Sequence, residues 1–140
     1  MGVLELETVV WPSSASYSGA DFDILARKHL FAAGLSYGHG TGHGIGSCLC
    51  VHEGPIGVSS TAKPCYMKFE NGMCVSNEPG YYHAGEFGIR IENVMMVVPH
   101  PKLTDCYKFE NLTFAPYCRN LIDTNILGPK FTTYVNNFHQ

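Results

Sequence analysis

Glycine stands at every second position of Tyr37-Gly38-His39-Gly40-Thr41-Gly42-His43-Gly44-Ile45-Gly46. Successive side chains of an extended backbone alternate sides, so His39, Thr41, His43 and Ile45 share one face. The other face is bare backbone that another segment can approach closely. At about 3.3 Å per residue the two imidazoles lie roughly 13 Å apart, too far to ligate one metal ion unless the segment turns. The natural division is one metal ligand and one histidine turned to a substrate or standing behind the ligand. The competing reading is a flexible glycine loop with two solvated histidines. A third histidine, His52, beside Glu53-Gly54-Pro55, favours chemistry.

Two further motifs carry charge. Asn77-Glu78-Pro79-Gly80-Tyr81-Tyr82 puts a carboxylate at a strand end, just before a proline that biases it to extended backbone. Such a group serves as a metal ligand or general base, or simply as a solvated strand end. In Gly88-Ile89-Arg90-Ile91-Glu92-Asn93-Val94, alternation puts Ile89, Ile91 and Asn93 on one face and Arg90, Glu92 and Val94 on the other. The Arg90/Glu92 pair is either a surface ion pair of little energetic weight or part of a buried polar site. A hairpin that sets Glu78 near Glu92, beneath a histidine of the glycine segment, gives oxygen and imidazole donors that suit manganese, zinc, cobalt or iron. Such a set holds one ion or forms part of a two-ion site.

These motifs need elements to carry them. Ser18 or Asp21 can cap a helix over 19–33, where Phe22, Leu25, Ala26, His29 and Ala33 recur at helical spacing and Gly34 can close it. The segment 37–54 reads as a glycine loop entering a strand through Leu49-Cys50-Val51, and residues 55–71 as a surface excursion. Met73-Cys74-Val75-Ser76, a turn from Pro79-Gly80 to Gly85, and a long strand from Phe87 to Val98 form an antiparallel hairpin. A last strand is expected around Leu112-Thr113-Phe114-Ala115-Pro116, and a short helix through Tyr134–Phe138 with Pro129 in its first turn.

Composition narrows the class. A chain of 140 residues is one unit, and 45% hydrophobic residues against 15% charged excludes disorder. A net charge of −3, with nine scattered basic residues, gives no field for polyanions, so nucleic acid is not an expected partner. No apolar run reaches the length of a membrane span and the first residues lack the basic start of a secretory leader, so a cytoplasmic location is expected. On the same grounds the six cysteines are expected as free thiols. The low charge content also fits a unit with an apolar face that something else covers.

In wording and order, the helix at 19–33, His39-Gly40-Thr41-Gly42-His43-Gly44, Val51-His52-Glu53-Gly54-Pro55, Glu78-Pro79-Gly80-Tyr81-Tyr82 and Phe87-Gly88-Ile89-Arg90-Ile91-Glu92-Asn93 resemble the eukaryotic cytosolic type of Xaa-Pro aminopeptidase. The resemblance is to the carboxy-terminal half of its catalytic domain, in the pita-bread metallopeptidase family, and runs over nearly the whole chain, 1–140. It implies an α+β fold, half of a pita-bread, with a curved antiparallel sheet and helices on one side. It implies a hydrolase that releases the N-terminal residue before a penultimate proline, with a hydroxide held by two divalent ions, manganese first and zinc or cobalt as alternatives. Residue by residue, it implies His43, Glu78 and Glu92 as metal ligands, Glu78 also as general base, His39 and His52 facing the substrate, and Arg90 organising the carboxylates. Two aspartate ligands of that family, in an Asp-x-Gly and a Thr-Asp-x-Thr-Arg segment, have no counterpart here. The chain alone is therefore expected to be incomplete and inactive. It would be completed by an amino-terminal half or paired with a second copy, the alternative being a non-catalytic pita-bread module that binds peptides.

Overall fold

The computed structural model describes residues 1–60 and 67–140. In chain order these form α1 (Gly2–Glu7), β1 (Val10–Pro12), α2 (Gly19–Phe31), β2 (Gly42–His43), β3 (Gly57–Val58), β4 (Cys74–Asn77), β5 (Gly80–His83), β6 (Phe87–Arg90), β7 (Asn93–Pro99), β8 (Cys106–Asn111), a 3-10 turn (Arg119–Leu121) and α3 (Thr124–Phe138). The main sheet is antiparallel with strand order β1-β8-β7-β4. Along β7 the alternate residues Asn93, Met95 and Val97 are buried, so one face of this sheet is the core face.

That face carries Val75, Met95, Val97 and Phe109, and against it α1 and α2 bring Leu6, Phe22 and Ala26. Trp11 plugs the centre, its ring 5.0 Å from Phe22 and 4.8 Å from Phe109. Helix α2 starts as its sequence predicts: the Asp21 carboxylate accepts from the Ser18 N–H at 2.8 Å and from the Ser18 hydroxyl at 2.9 Å. Its axis ends before Gly34, whose φ of 71° only glycine adopts without strain. His29, placed on the apolar stripe by spacing, instead lies 2.9 Å from the Glu5 carboxylate. Helix α3 docks on α1 through Phe131, Val135 and Leu4.

Several segments depart from expectation, each for a local reason. Leu49-Cys50-Val51 is no strand: the Gly46 N–H donates to the Cys50 carbonyl at 2.9 Å, and Leu49 turns outward at φ 58° with 98% of its surface exposed. The strand of the glycine segment is β2 instead. The surface excursion expected over 55–71 is corrected at two of its described residues, since Val58 and Phe69 are fully buried in the core. Of that stretch, residues 61–66 lie outside the described residues. The last strand comes earlier, at β8: the Leu112 N–H still donates to the Val94 carbonyl at 2.8 Å, and the Asn111 side chain then accepts the Thr113 N–H at 3.1 Å and turns the chain out of the ladder after Leu112. The C-terminal helix starts earlier as well. Asp123 caps it from Asn125 N–H at 2.9 Å, and Gly128 at φ 74° divides it so that Pro129 opens the second part. Cys48, Cys50, Cys74, Cys106 and Cys118 are free thiols, and Cys65 lies outside the described residues.

Candidate metal centre

The expected hairpin exists but is broken once on each arm. Strand β4 pairs with β7 up to Asn77↔Asn93, and β5 pairs with β6 from Gly80↔Arg90 in the same register. Between them lie Glu78-Pro79 on one arm and Ile91-Glu92 on the other, and extending the register by one pair sets Glu78 opposite Glu92. Pro79 has no N–H to give a ladder, so the sequence itself opens the sheet where the carboxylates sit. Directly opposed side chains in an antiparallel pair project to the same face, about 5 Å apart.

The imidazole comes from across the sheet. Gly42 packs so tightly on β4 that a Cβ there would collide with the Ser76 carbonyl. The approach is fastened by the His43 N–H donating to the Ser76 hydroxyl at 2.9 Å, and by the Glu78 N–H donating to the Thr41 carbonyl at 2.7 Å. The Ser76 hydroxyl in turn donates a hydrogen bond to Glu78 Oε1 at 3.0 Å. His43 Nε2 then lies 3.2 Å from Glu78 Oε1, and one ligand atom from each of His43, Glu78 and Glu92 falls within 4.8 Å of the others. His43 Nδ1 faces the Gly44 carbonyl at 3.0 Å, which can only accept, so Nδ1 carries the proton and Nε2 keeps its lone pair for a cation. An imidazole with two carboxylates fits a divalent first-row ion.

His39 lies in a second cluster on the same side. Its Nδ1 donates to the Gly40 carbonyl at 2.7 Å, leaving Nε2 to accept from the Tyr82 hydroxyl at 2.9 Å. The Tyr82 oxygen accepts from Arg90 Nε at 3.0 Å, and Arg90 Nη1 reaches Glu78 Oε2 at 3.5 Å. This hydrogen bond to Tyr82 is the main reason that Arg90 holds its proton more tightly than usual. His52 is exposed and sits edge-on to His43, ring centroids 4.1 Å apart. The two histidines of the glycine segment thus take different partners: His43 meets Glu78, His39 meets Tyr82.

Two buried carboxylates support these residues from behind, and neither is marked by the motifs. Asp23 on α2 is fully buried and accepts from Arg27 Nε at 2.9 Å, from Ser60 N–H at 3.1 Å and from the Thr41 hydroxyl. Burial works against its charge, but the donors from Ser60, Thr41 and Arg27 prevail and hold its carboxyl below the ordinary range. Glu7 accepts from Asn93 Nδ2 at 2.6 Å and Asn111 Nδ2 at 2.9 Å, with the Tyr117 hydroxyl at 3.3 Å. Here burial wins, and the Glu7 carboxyl is pushed up despite its donors. Asn93 adjoins Glu92, so this network anchors the chain beside one candidate ligand. The i,i+4 spacing of Asp23 and Arg27 is readable in the sequence but does not tell a buried pair from a solvated one. Tyr82 and Ser76 lie inside quoted motifs, yet only the fold shows what they touch.

Residues 9–99 match metallopeptidase family M24, and residues 105–140 match the C-terminal region of peptidase M24. The chain is 46% identical to a putative Xaa-Pro aminopeptidase of Saccharomyces cerevisiae, with 99% of this chain and 18% of that protein aligned. It is likewise 46% identical to Xaa-Pro aminopeptidase 2 of Homo sapiens, over 100% of this chain and 20% of that protein. Among solved structures it superposes on an X-prolyl aminopeptidase from Caenorhabditis elegans, described as a cytosolic enzyme with a di-nuclear active site. The TM-score is 0.86 at 33% identity, covering 99% of this chain and 22% of that one. The chain thus spans about a fifth of the length of the relatives it matches.

Proposed function

We propose a function from one premise: the chain belongs to metallopeptidase family M24. Its fold is the α+β pita-bread type, an antiparallel sheet with helices packed on one face. On our reading it is part of a metallo-aminopeptidase that releases the residue before a penultimate proline. The observation that carries this reading is the convergence of His43, Glu78 and Glu92 within 4.8 Å. These three would hold a divalent ion, manganese by preference, which supplies Lewis acidity when bound. Glu78 takes and returns a proton on its carboxylate, and Arg90, 3.5 Å from Oε2, steadies the charge that remains. His39 and His52 face the substrate, with Tyr82 fixing the direction of His39 Nε2.

The ligand set of a two-ion site is completed by groups outside these 140 residues. Supporting this, Ile89 and Ile91 stand 39% and 40% exposed beside Glu92, on a cavity of about 490 Å³ that Leu4 and Ile122 also line. A cytoplasmic location agrees with the worm relative's description. No helix among the described residues is long and apolar enough to cross a membrane.

The test is hydrolysis of an Xaa-Pro-Pro peptide with added manganese, an EDTA control and Glu78→Gln, first with the chain alone and then with the remainder of the protein supplied. Metal-dependent turnover that needs the remainder and falls about 10²–10⁴-fold in Glu78→Gln is expected. Turnover by the chain alone would overturn the completion. Turnover that survives EDTA or Glu78→Gln would overturn the chemistry. Peptide binding with no turnover in either arm would instead identify a binding module.

A further inference from the structure

The contacts between α2 and the glycine-rich segment have no part in the chemistry above. Arg27 is 5% exposed and its partner Asp23 fully buried. A buried ion pair forfeits so much solvation that apolar residues of similar volume often do as well or better. The use of charge here shows in what the remaining donors hold. Arg27 Nη1 donates to the Tyr37 carbonyl at 2.9 Å and Nη2 to the His39 carbonyl at 2.7 Å, while the guanidinium lies over the Tyr37 ring at 4.0 Å. Asp23 grips the Thr41 hydroxyl with one oxygen and the Ser60 hydroxyl, at 2.5 Å, with the other. Tyr37, His39 and Thr41 are therefore held from the helix side at alternate positions. The residues between them, Gly38 and Gly40, have no side chains with which to hold themselves.

We propose that Arg27, oriented by Asp23, is a positioning residue: its fork fixes the His39 backbone and so the direction in which the His39 imidazole meets the substrate. The inference rests on the reading of His39 as substrate-facing. Lysine at position 27 keeps a charge beside Asp23 but cannot bond both carbonyls in one plane or stack on Tyr37 in the same way.

The test compares the wild-type protein with Arg27→Lys, both labelled with ¹⁵N in histidine and arginine and free of metal. The His39 ring resonances are expected to move while those of His43, His52 and His100 stay, with the melting temperature altered by only about 5 °C. In the active protein kcat/KM for an Xaa-Pro-Pro peptide is expected to fall on the order of 10- to 100-fold. In a His39→Ala background the same change should have less than about a twofold effect, because Arg27 acts through His39. An unmoved His39, a shift shared by all histidines, or full additivity in the double variant would overturn the proposal. Should Arg27→Lys fail to fold, the wild type still decides. With ¹³C added at the tyrosine and histidine carbonyls, the Arg27 Nη protons should exchange slowly and correlate across hydrogen bonds with the Tyr37 and His39 carbonyl carbons, and a freely rotating guanidinium would refute it. A wild type without peptidase activity would defeat the functional reading, and the resonance measurements would judge the clamp separately.

Discussion

Replacing Gly42 with alanine tests how His43 is delivered to the site. The new methyl would lie about 1 Å inside the closest approach that a Cβ makes to the Ser76 carbonyl, and both partners are backbone, so β2 must retreat from β4 by about that distance. His43 is the next residue, 3.2 Å from Glu78. Metal sites tolerate ligand misplacements of only about 0.2 Å, so a retreat of about 1 Å removes the imidazole while leaving the opposed carboxylates in register. Manganese affinity is expected to weaken at least 10- to 100-fold, the range seen when a ligand loses its orientation. Stability should fall by about 1–3 kcal/mol, as for other overpacked positions. Gly38→Ala is the control within the same segment, since a methyl there meets nothing within 4 Å. It should bind manganese as the wild type does and gain up to about 1 kcal/mol from a stiffer unfolded chain. Calorimetric titration with manganese and thermal unfolding read both quantities. A Gly42→Ala protein that binds manganese within about twofold of wild type would refute the argument that this close approach delivers the ligand.

Two further outcomes follow from the buried carboxylates. Glu7, its folded pKa raised by burial, stabilises the fold fully below the unfolded value of 4.5 and loses that contribution as pH rises through the folded value. Glu7→Gln should therefore be more stable than wild type at pH 8, and the difference should vanish near pH 4; equal melting temperatures at pH 8 would contradict this. Asp23 has the opposite sign: its depressed pKa supplies stability above the unfolded value of 3.8 that is lost as pH falls through the folded one. Asp23→Asn leaves Arg27 without its counter-charge, so at pH 7 it should cost about 3–5 kcal/mol, on the order of 10–20 °C in melting temperature. A loss of only a few degrees would show that the carbonyls of Tyr37 and His39 satisfy Arg27 without Asp23.

What the sequence revealed of this site follows the distance over which each contact acts. The opposition of Glu78 and Glu92 is a property of one hairpin, and a Pro-Gly turn with alternating strands makes that readable from residues close together in the chain. His43 meets Glu78 from a segment more than thirty residues earlier, and the readable sign was the row of glycines: bare backbone marks where something comes close, though not what. The glycine segment reads as a loop, whereas Gly42 and His43 pair with β3, Gly44 bridges to Val75, and the segment is also gripped from the side by α2. That grip was illegible for a physical reason. Asp23 and Arg27 look like a solvated i,i+4 pair, and nothing in a single sequence tells a charged pair facing water from one facing carbonyls. The displaced last strand has the same character, since only the side-chain turn at Asn111 decides where the ladder ends. A glycine-alternating loop therefore has too few side chains to define its own shape, and the groups that define it must be charged or polar and buried on a neighbouring element. In this chain those groups are Asp23 and Arg27, which makes α2 the element that holds the His39 backbone, while Tyr82 on β5 holds its ring.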